Sequence, residues 1–307
     1  MIGKKRREKE SFLSEFSERK LYKDMSKIRL MSQNQWNCTP NRPWWEENGL
    51  DCSAECRMKG HIRVIKELLP DVLGGQEVNM EMQKHLLWGF LENGMPYTQI
   101  YGNYTPIIYR PDKLELLETE YVLYPEYGYG YEGKFNDSRS KSCNLGVFRV
   151  KEDGKIFIFA TTHLWWKDGV NTESQWYQEG SDEVRAVQMK MACDLIDKYR
   201  KKYGCPAFLV GDMNAEYHSL AVDYALTYGG FSHAHNVATE YADDRVGYHD
   251  CGTNGYSPWW DKPFECAIDH ILVKGAANDT VKRFERYTPE YYLTLSDHAP
   301  VFVDVEL

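Results

Sequence analysis

Eight polar residues of this sequence fall where apolar runs begin or stop: Asn34, Glu77, His163, Asp212, Asn214, Asp269, Asp297 and His298. Together they form a coherent chemical set. Hydrolysis of a phosphate ester needs a cation to neutralise charge on the phosphoryl oxygens, a base to activate water, and stabilisation of the departing oxyanion. Acids and amides supply oxygen ligands for a hard cation, and histidines supply the rest. The densest stretch is AFLVGDMNAE, Ala207 to Glu216, where four apolar residues end at Gly211 and Asp212 and Asn214 follow two positions apart. It reads as a short strand buried on both faces, a glycine that lets the backbone turn, and two oxygen donors at the carboxyl end. Alone, a GDxN string is ordinary turn or helix-cap chemistry, so the surrounding elements decide.

Those elements alternate strand and helix. IRLMSQN, from Lys27, alternates as a first strand and ends at Asn34. Ser53 to Leu69 predicts an amphipathic helix with Ile62, Ile65, Leu68 and Leu69 on one face, closed by Pro70. DVLGGQEV carries Gln76 and Glu77 to the end of a second strand, a helix follows at about 79–92, and Asn103 precedes a strand at TPIIYR. CNLGVFRV and KIFIFATTH, joined by EDG, predict a hairpin whose second strand ends at His163. Ser181 to Tyr203 is a long helix, with Val184, Val187, Met191, Leu195 and Ile196 at helical spacing, and Ser219 to Thr227 a short one. CAIDHILV is a strand interrupted by Asp269, and Asp297 and His298 precede a closing strand. The Gly- and Tyr-rich segment Tyr124 to Arg139 predicts a mobile or ligand-binding loop.

Composition bounds the rest. The 307 residues are 42% hydrophobic and 14% aromatic, ample for a packed core, and without repeat or linker they favour one domain after a charged extension at residues 1–24. That extension holds eight of the 37 basic residues and five of the 46 acidic ones, which leaves the body at a formal −12. Such a charge opposes a broad footprint on long nucleic acid. No apolar run approaches the ~18 residues that cross a membrane, and the first residues lack the apolar centre of a secretion signal, so no membrane insertion and a cytoplasmic location are expected. Eight scattered cysteines predict free thiols. Cys52, Cys56 and His61 lack a fourth zinc ligand and are set aside.

In chain order, MSQN, VLGGQEV, TTHL, GDMNAE, AIDHILV and SDHAP resemble the ordered motifs of the endonuclease/exonuclease/phosphatase superfamily, over about residues 27–307. The resemblance implies a domain at 25–307 with the deoxyribonuclease I-like α/β fold, a four-layered sandwich of two packed mixed β-sheets flanked by helices. It also implies a phosphoesterase dependent on Mg²⁺ or Mn²⁺. By the same resemblance Glu77 is the principal metal ligand, with Asn34 and Asp297 completing the cation's surroundings. Asp212 and Asn214 orient water and phosphate or hold a second metal. His298 is the base, oriented by Asp269, and His163 stabilises the phosphoryl oxygens or protonates the leaving group. Arg139 matches a phosphate-binding arginine, and Asn103 stands where deoxyribonuclease-like members support the second histidine with a glutamate. His270, beside Asp269, reads as structural.

Three tryptophan pairs, 44–45, 165–166 and 259–260, lie near these motifs. Aromatic faces stack on sugars or bases, which makes Trp165 and Trp259 candidate substrate-binding residues. With the acidic body they favour a small phosphorylated sugar or nucleotide as substrate. The alternatives are a metal-dependent endo- or exonuclease, a sphingomyelinase-like phosphodiesterase and, last, a non-catalytic binding protein on this fold.

Overall fold

In the computed structural model, residues 26–38, 43–241 and 267–307 are described, without the side chains of Pro43, Trp44 and Leu293. The chain opens with β1 (Lys27–Asn34), α1 (Pro43–Glu47), α2 (Ala54–Leu68), β2 (Val72–Gln76) and α3 (Met80–Glu92). Next come β3 (Thr98–Ile100), β4 (Ile107–Tyr109), β5 (Leu114–Leu123), and the hairpin β6 (Ser142–Val150) and β7 (Ile156–His163). Then follow α4 (Ser181–Tyr203), β8 (Ala207–Asp212), α5 (Leu220–Thr227), β9 (Ser232–His233), α6 (Ala234–Val237) and β10 (Glu240–Tyr241). The last strands are β11 (Asp269–Lys274), β12 (Val281–Arg286) and β13 (Val301–Glu306).

Among the described residues the strands form two mixed sheets, ordered β10-β12-β13-β1-β2-β4-β3 and β5-β6-β7-β8-β11-β9. Their inner faces meet in a shared core that includes Leu30, Val72, Phe159, Phe208 and Val303. Each such buried side chain contributes roughly 1.5–3 kcal/mol. Helices α2 and α3 cover the outer face of the first sheet through Met58, Ile62, Leu86 and Phe90. Helices α4 and α5 cover the second through Met189, Ile196 and Val222. The result is the four-layered α/β sandwich with helices outside.

Local chemistry sets the element ends. Ser53 caps α2 by accepting the Cys56 N–H (3.3 Å), Asn79 caps α3 by accepting that of Met82 (2.9 Å), and Gly204, at φ +61°, closes α4. Two helical residues depart from the expected apolar faces: Leu69 is the left-handed C-cap of α2 and exposed, and Val187 is exposed on α4. Gly211 does not turn the chain. It lies inside β8 at φ +148°, where a Cβ would come 2.0 Å from the Thr162 carbonyl oxygen, so glycine is what lets β7 approach.

Candidate active site

Strand register gathers the polar residues at one rim. In the second sheet His163 on β7 pairs with Asp212 on β8, which pairs with Asp269 on β11, so three functional residues stand side by side on adjacent strands. In the first sheet Asn34 at the end of β1 pairs with Gln76, which places Glu77 just beyond β2. β13 runs antiparallel to β1, so Asp297 and His298, immediately before it, return to the same rim. Gln76 Nε2 donates to Thr161 Oγ1 across the sheets (2.8 Å), near Gly74, where any Cβ would strike Thr161.

The rim forms a cleft of about 460 Å³ lined by Glu77, His163, Asp212, Asn214, Asp297 and His298, together with Asn37, Tyr104, Asp137, Ser140, Lys141 and Trp166. His298 Nδ1 lies 2.8 Å from Asp269 Oδ2, which fixes the ring and leaves Nε2 toward Asp212 and Asp297, each 3.9 Å away. Ser296 ties this turn to β1, its hydroxyl donating to the Asn34 carbonyl (2.9 Å) and accepting the His298 N–H (3.2 Å). Arg57, buried on α2, draws the two segments together by donating to the carbonyls of Trp36 (2.6 Å), Gln35 and Leu295. Asp212 is the hub: Oδ1 accepts the Asn214 N–H (2.8 Å), while Oδ2 accepts from Asn34 (2.9 Å) and lies 3.3 Å from His163 Nε2. Asn214 takes a left-handed φ of +46° and donates its amide to the Leu164 carbonyl (3.1 Å).

Charges in the cleft hold one another ionised. Burial resists charge on Asp212, but His298, His163 and Lys141 hold its carboxyl well below the usual range. Burial likewise opposes Glu77, which His163, Lys141 and the Asn37 N–H (2.9 Å) keep below its ordinary value. His298 goes the other way: burial disfavours its charge, yet Asp269, Asp212 and Asp297 raise it well above an ordinary imidazole.

Several expected binding residues lie elsewhere. Trp165 is buried against Phe135 (ring centroids 5.9 Å), and the tryptophan at the cleft is its neighbour Trp166, whose indole N–H donates to Asp137 (2.9 Å). Trp45 is buried beneath Arg57, and Trp259 falls outside the described residues. Arg139 is exposed and absent from the cleft lining. Asn103 fastens that loop instead of meeting the cleft, donating to the carbonyls of Ser138 (3.2 Å) and Arg139 (2.8 Å). Asn34 presents the wrong end for a metal ligand: its oxygen accepts the Trp36 N–H (2.9 Å), so its NH₂ faces Asp212 and Glu77. The basic group beside His163 is Lys141, 3% exposed, with Nζ 2.7 Å from Nε2. Its sequence signal is indirect: the hairpin pairs Ser142 with His163, which sets the preceding residue at the end of β7.

Residues 48–298 match the Endonuclease/Exonuclease/phosphatase family. The chain belongs to that family. Members of the endonuclease/exonuclease/phosphatase family are phosphoester hydrolases, in general dependent on a divalent metal, and this chain is a phosphoesterase. No curated protein matches it significantly in sequence. Among solved structures it resembles an endonuclease/exonuclease/phosphatase family protein of Bacteroides thetaiotaomicron at 20% identity, over 92% of this chain and 96% of that one, with TM-score 0.68. A mannosyl-6-phosphatase of the same organism matches at 20% identity over 90% and 98%, TM-score 0.65. D. rerio TDP2 complexed with a single-strand DNA product matches at 16% identity over 91% and 98%, TM-score 0.57. At these identities the likeness shows the fold.

The donor set fits the family's divalent cation. Glu77, Asp212 and Asp297 offer hard carboxylate oxygens in one cleft, and single ligand atoms of Glu77, His163 and Asp212 lie within 4.8 Å of one another. A second grouping, Asp212, Asp269 and His298, is the dyad with its neighbouring acid. Cys38, Cys56, Cys143, Cys193 and Cys205 are free thiols, and His61 is buried with Nδ1 3.1 Å from Gln33 Nε2. Among the described residues no helix is long and apolar enough to cross a membrane.

Proposed function

We propose that this protein hydrolyses small phosphate monoesters, a phosphorylated sugar or a nucleotide, with Mg²⁺ or Mn²⁺ as its cation. The observation that carries this reading is the contact of Lys141 with His163 in the same small cleft as Glu77, Asp212 and Asp297. A terminal phosphoryl group brings two ionised oxygens, and a site with both cationic donors and metal-binding carboxylates can meet both. The formal −12 outside residues 1–24 works against a DNA duplex.

Glu77 and Asp297 would hold the cation, beside Asp212, and the bound ion supplies charge neutralisation on the phosphoryl oxygens. Asn34 keeps Asp212 in place from behind. Lys141 and His163 donate hydrogen bonds to the phosphoryl oxygens, and Asn214 aligns water and phosphate. His298 Nε2, aimed by Asp269, takes a proton from the water whose oxygen bonds to phosphorus, the ester P–O bond breaks, and His163 gives a proton to the departing alkoxide. His298 acts as a base only when neutral, a form that Asp269, Asp212 and Asp297 oppose; positive charge among Glu77, Asp212 and Asp297 would offset the share due to Asp212 and Asp297. The free thiols of Cys38, Cys56, Cys143, Cys193 and Cys205 support a cytoplasmic setting. Phosphate release from sugar phosphates and nucleoside monophosphates, with metal and with chelator, tests the reading; the absence of release with every metal overturns it.

A further inference from the structure

A second hollow of about 670 Å³ adjoins the catalytic cleft, and Trp166 and Asn214 line both. One wall is the connection from β7 to α4, which carries Trp166, and the other is the segment after β8 from Asn214 to Leu220. Trp176, 53% exposed, meets Trp166 edge-on, with ring centroids 5.2 Å apart and planes at 63°. The two indoles therefore cannot cover each other face to face, and Trp176 keeps apolar ring surface open to the hollow, next to the exposed Val170.

The loop that carries them is fixed rather than slack. Asp168 Oδ1 accepts the N–H groups of Val170 (2.8 Å) and Asn171 (3.0 Å). From α4, the buried Arg185 donates to the carbonyls of Trp165 (3.1 Å) and Lys167 (2.7 Å) and pairs with Asp182. That guanidinium is therefore engaged in holding the wall. The remaining charged lining is of both signs, Lys167 with Asp168 and Glu216, beside His218. Nothing there concentrates positive charge for a second phosphate. Exposed indole surface beside polar side chains of both signs suits a neutral polyhydroxylated ring, whose C–H face lies on tryptophan while its hydroxyls meet those polar groups.

We infer that this hollow binds a neutral glycosyl unit on the alcohol side of the scissile ester, so that the preferred substrate is a phosphorylated oligosaccharide rather than a hexose phosphate or a nucleotide. The inference rests on the phosphomonoesterase reading of the neighbouring cleft. Trp166 and Asn214 border both spaces, so an ester whose phosphate sits in the first has room to extend its alcohol into the second.

The test compares kcat/KM for hexose 6-phosphates, a panel of disaccharides phosphorylated on one ring, and nucleoside monophosphates, using the full chain with Mg²⁺ and its Trp176→Ala and Trp176→Phe variants. The best disaccharide phosphate should exceed the best hexose phosphate by about tenfold or more, mainly through KM. Trp176→Ala should remove most of that gain and leave hexose phosphate turnover unchanged, while Trp176→Phe retains it. Equal kcat/KM for one and two rings, a preference for nucleotides, or equal loss on every substrate in Trp176→Ala would overturn the inference while leaving the cleft's assignment standing. Failure of all the monoesters alongside plasmid nicking would instead overturn the reading on which it rests.

Discussion

Lys141 Nζ lies 2.7 Å from His163 Nε2, so two basic groups are held in contact in a cleft that also contains Glu77, Asp137 and Asp212. Burial lowers the Lys141 pKa, and Asp137, Glu77 and Asp212 partly offset that fall. The arrangement makes sense for a group that meets phosphoryl oxygens, because it places a donor where negative charge must be received.

Lys141→Met is accordingly expected to lower kcat/KM on a small phosphate ester by on the order of 10²-fold, with the protein still folded and Lys141→Arg recovering part of the loss. Steady-state kinetics with circular dichroism checks this. An unchanged rate in Lys141→Met removes the lysine from the chemistry.

The 2.8 Å contact between Asp269 and His298 predicts that the two act as a unit. His298→Ala should cost at least ~10² in kcat, and adding Asp269→Asn to it should cost little more, because residues of one unit are not additive. Independent, multiplying losses in the double variant would contradict the dyad.

Much of this site was legible because chemistry and strand ends coincide in the sequence. GDMN, QE and SDH each follow or precede an apolar run, and strand pairing then sets His163, Asp212 and Asp269 side by side. β5 was not legible: LELLETEYVL is rich in helix-favouring Leu and Glu, and its pairing with β6 from Leu114↔Val150 to Leu123↔Ser142 makes it a strand. β12, with polar residues at Lys282, Arg283 and Glu285, was equally silent. Lys141 needed the hairpin register, and Arg139, two residues earlier, was the more familiar choice for phosphate. Trp165 and Trp166 illustrate a different limit. Adjacent residues of an extended segment point to opposite sides, so only one of a pair can face the cleft, and the packing of Trp165 on Phe135 decides which. Asn34 ends β1, as its apolar run suggests, but which end of its amide faces Asp212 depends on the Trp36 N–H, a contact that no motif announces.

Glu77 stands at φ +57°, an uncommon conformation for a residue with a side chain, and offers its carboxylate to the cleft beside Asp212. Glu77→Gln keeps the shape and removes the charge. It should raise the Mg²⁺ concentration needed for half-maximal activity by about tenfold or more, without loss of fold. Metal titration of activity and isothermal calorimetry check this, and an unshifted metal requirement would exclude Glu77 as a ligand.

Buried histidines predict the acid limb of stability. His270 Nε2 donates to the Ala215 carbonyl (2.7 Å) and Nδ1 accepts from His233 Nε2 (3.1 Å), while His233 Nδ1 accepts the His235 N–H (3.3 Å), so both rings are neutral. Burial brings His270 down to about 4 and lowers His233 strongly as well. In the unfolded chain both take up protons below the ordinary imidazole pKa of about 6.5. Between that pH and about 4 the unfolded state binds more protons, so stability falls as pH falls. His298, with a raised pKa, contributes fully below the ordinary value and does not offset this slope. Thermal melts across the window should show Tm declining toward acid, with a shallower decline in His270→Gln; equal slopes would assign the acid sensitivity elsewhere.

The central claim is that the rim cleft hydrolyses small phosphate esters with a divalent cation. Its most direct measurement is kcat/KM on small phosphate monoesters against the rate per bond on plasmid DNA, in one buffer with Mg²⁺ and again with chelator. The account predicts that the monoesters are turned over at least ~10-fold better than DNA and that chelation abolishes both activities. Rapid plasmid nicking without monoester hydrolysis, or activity that survives chelation, would contradict it.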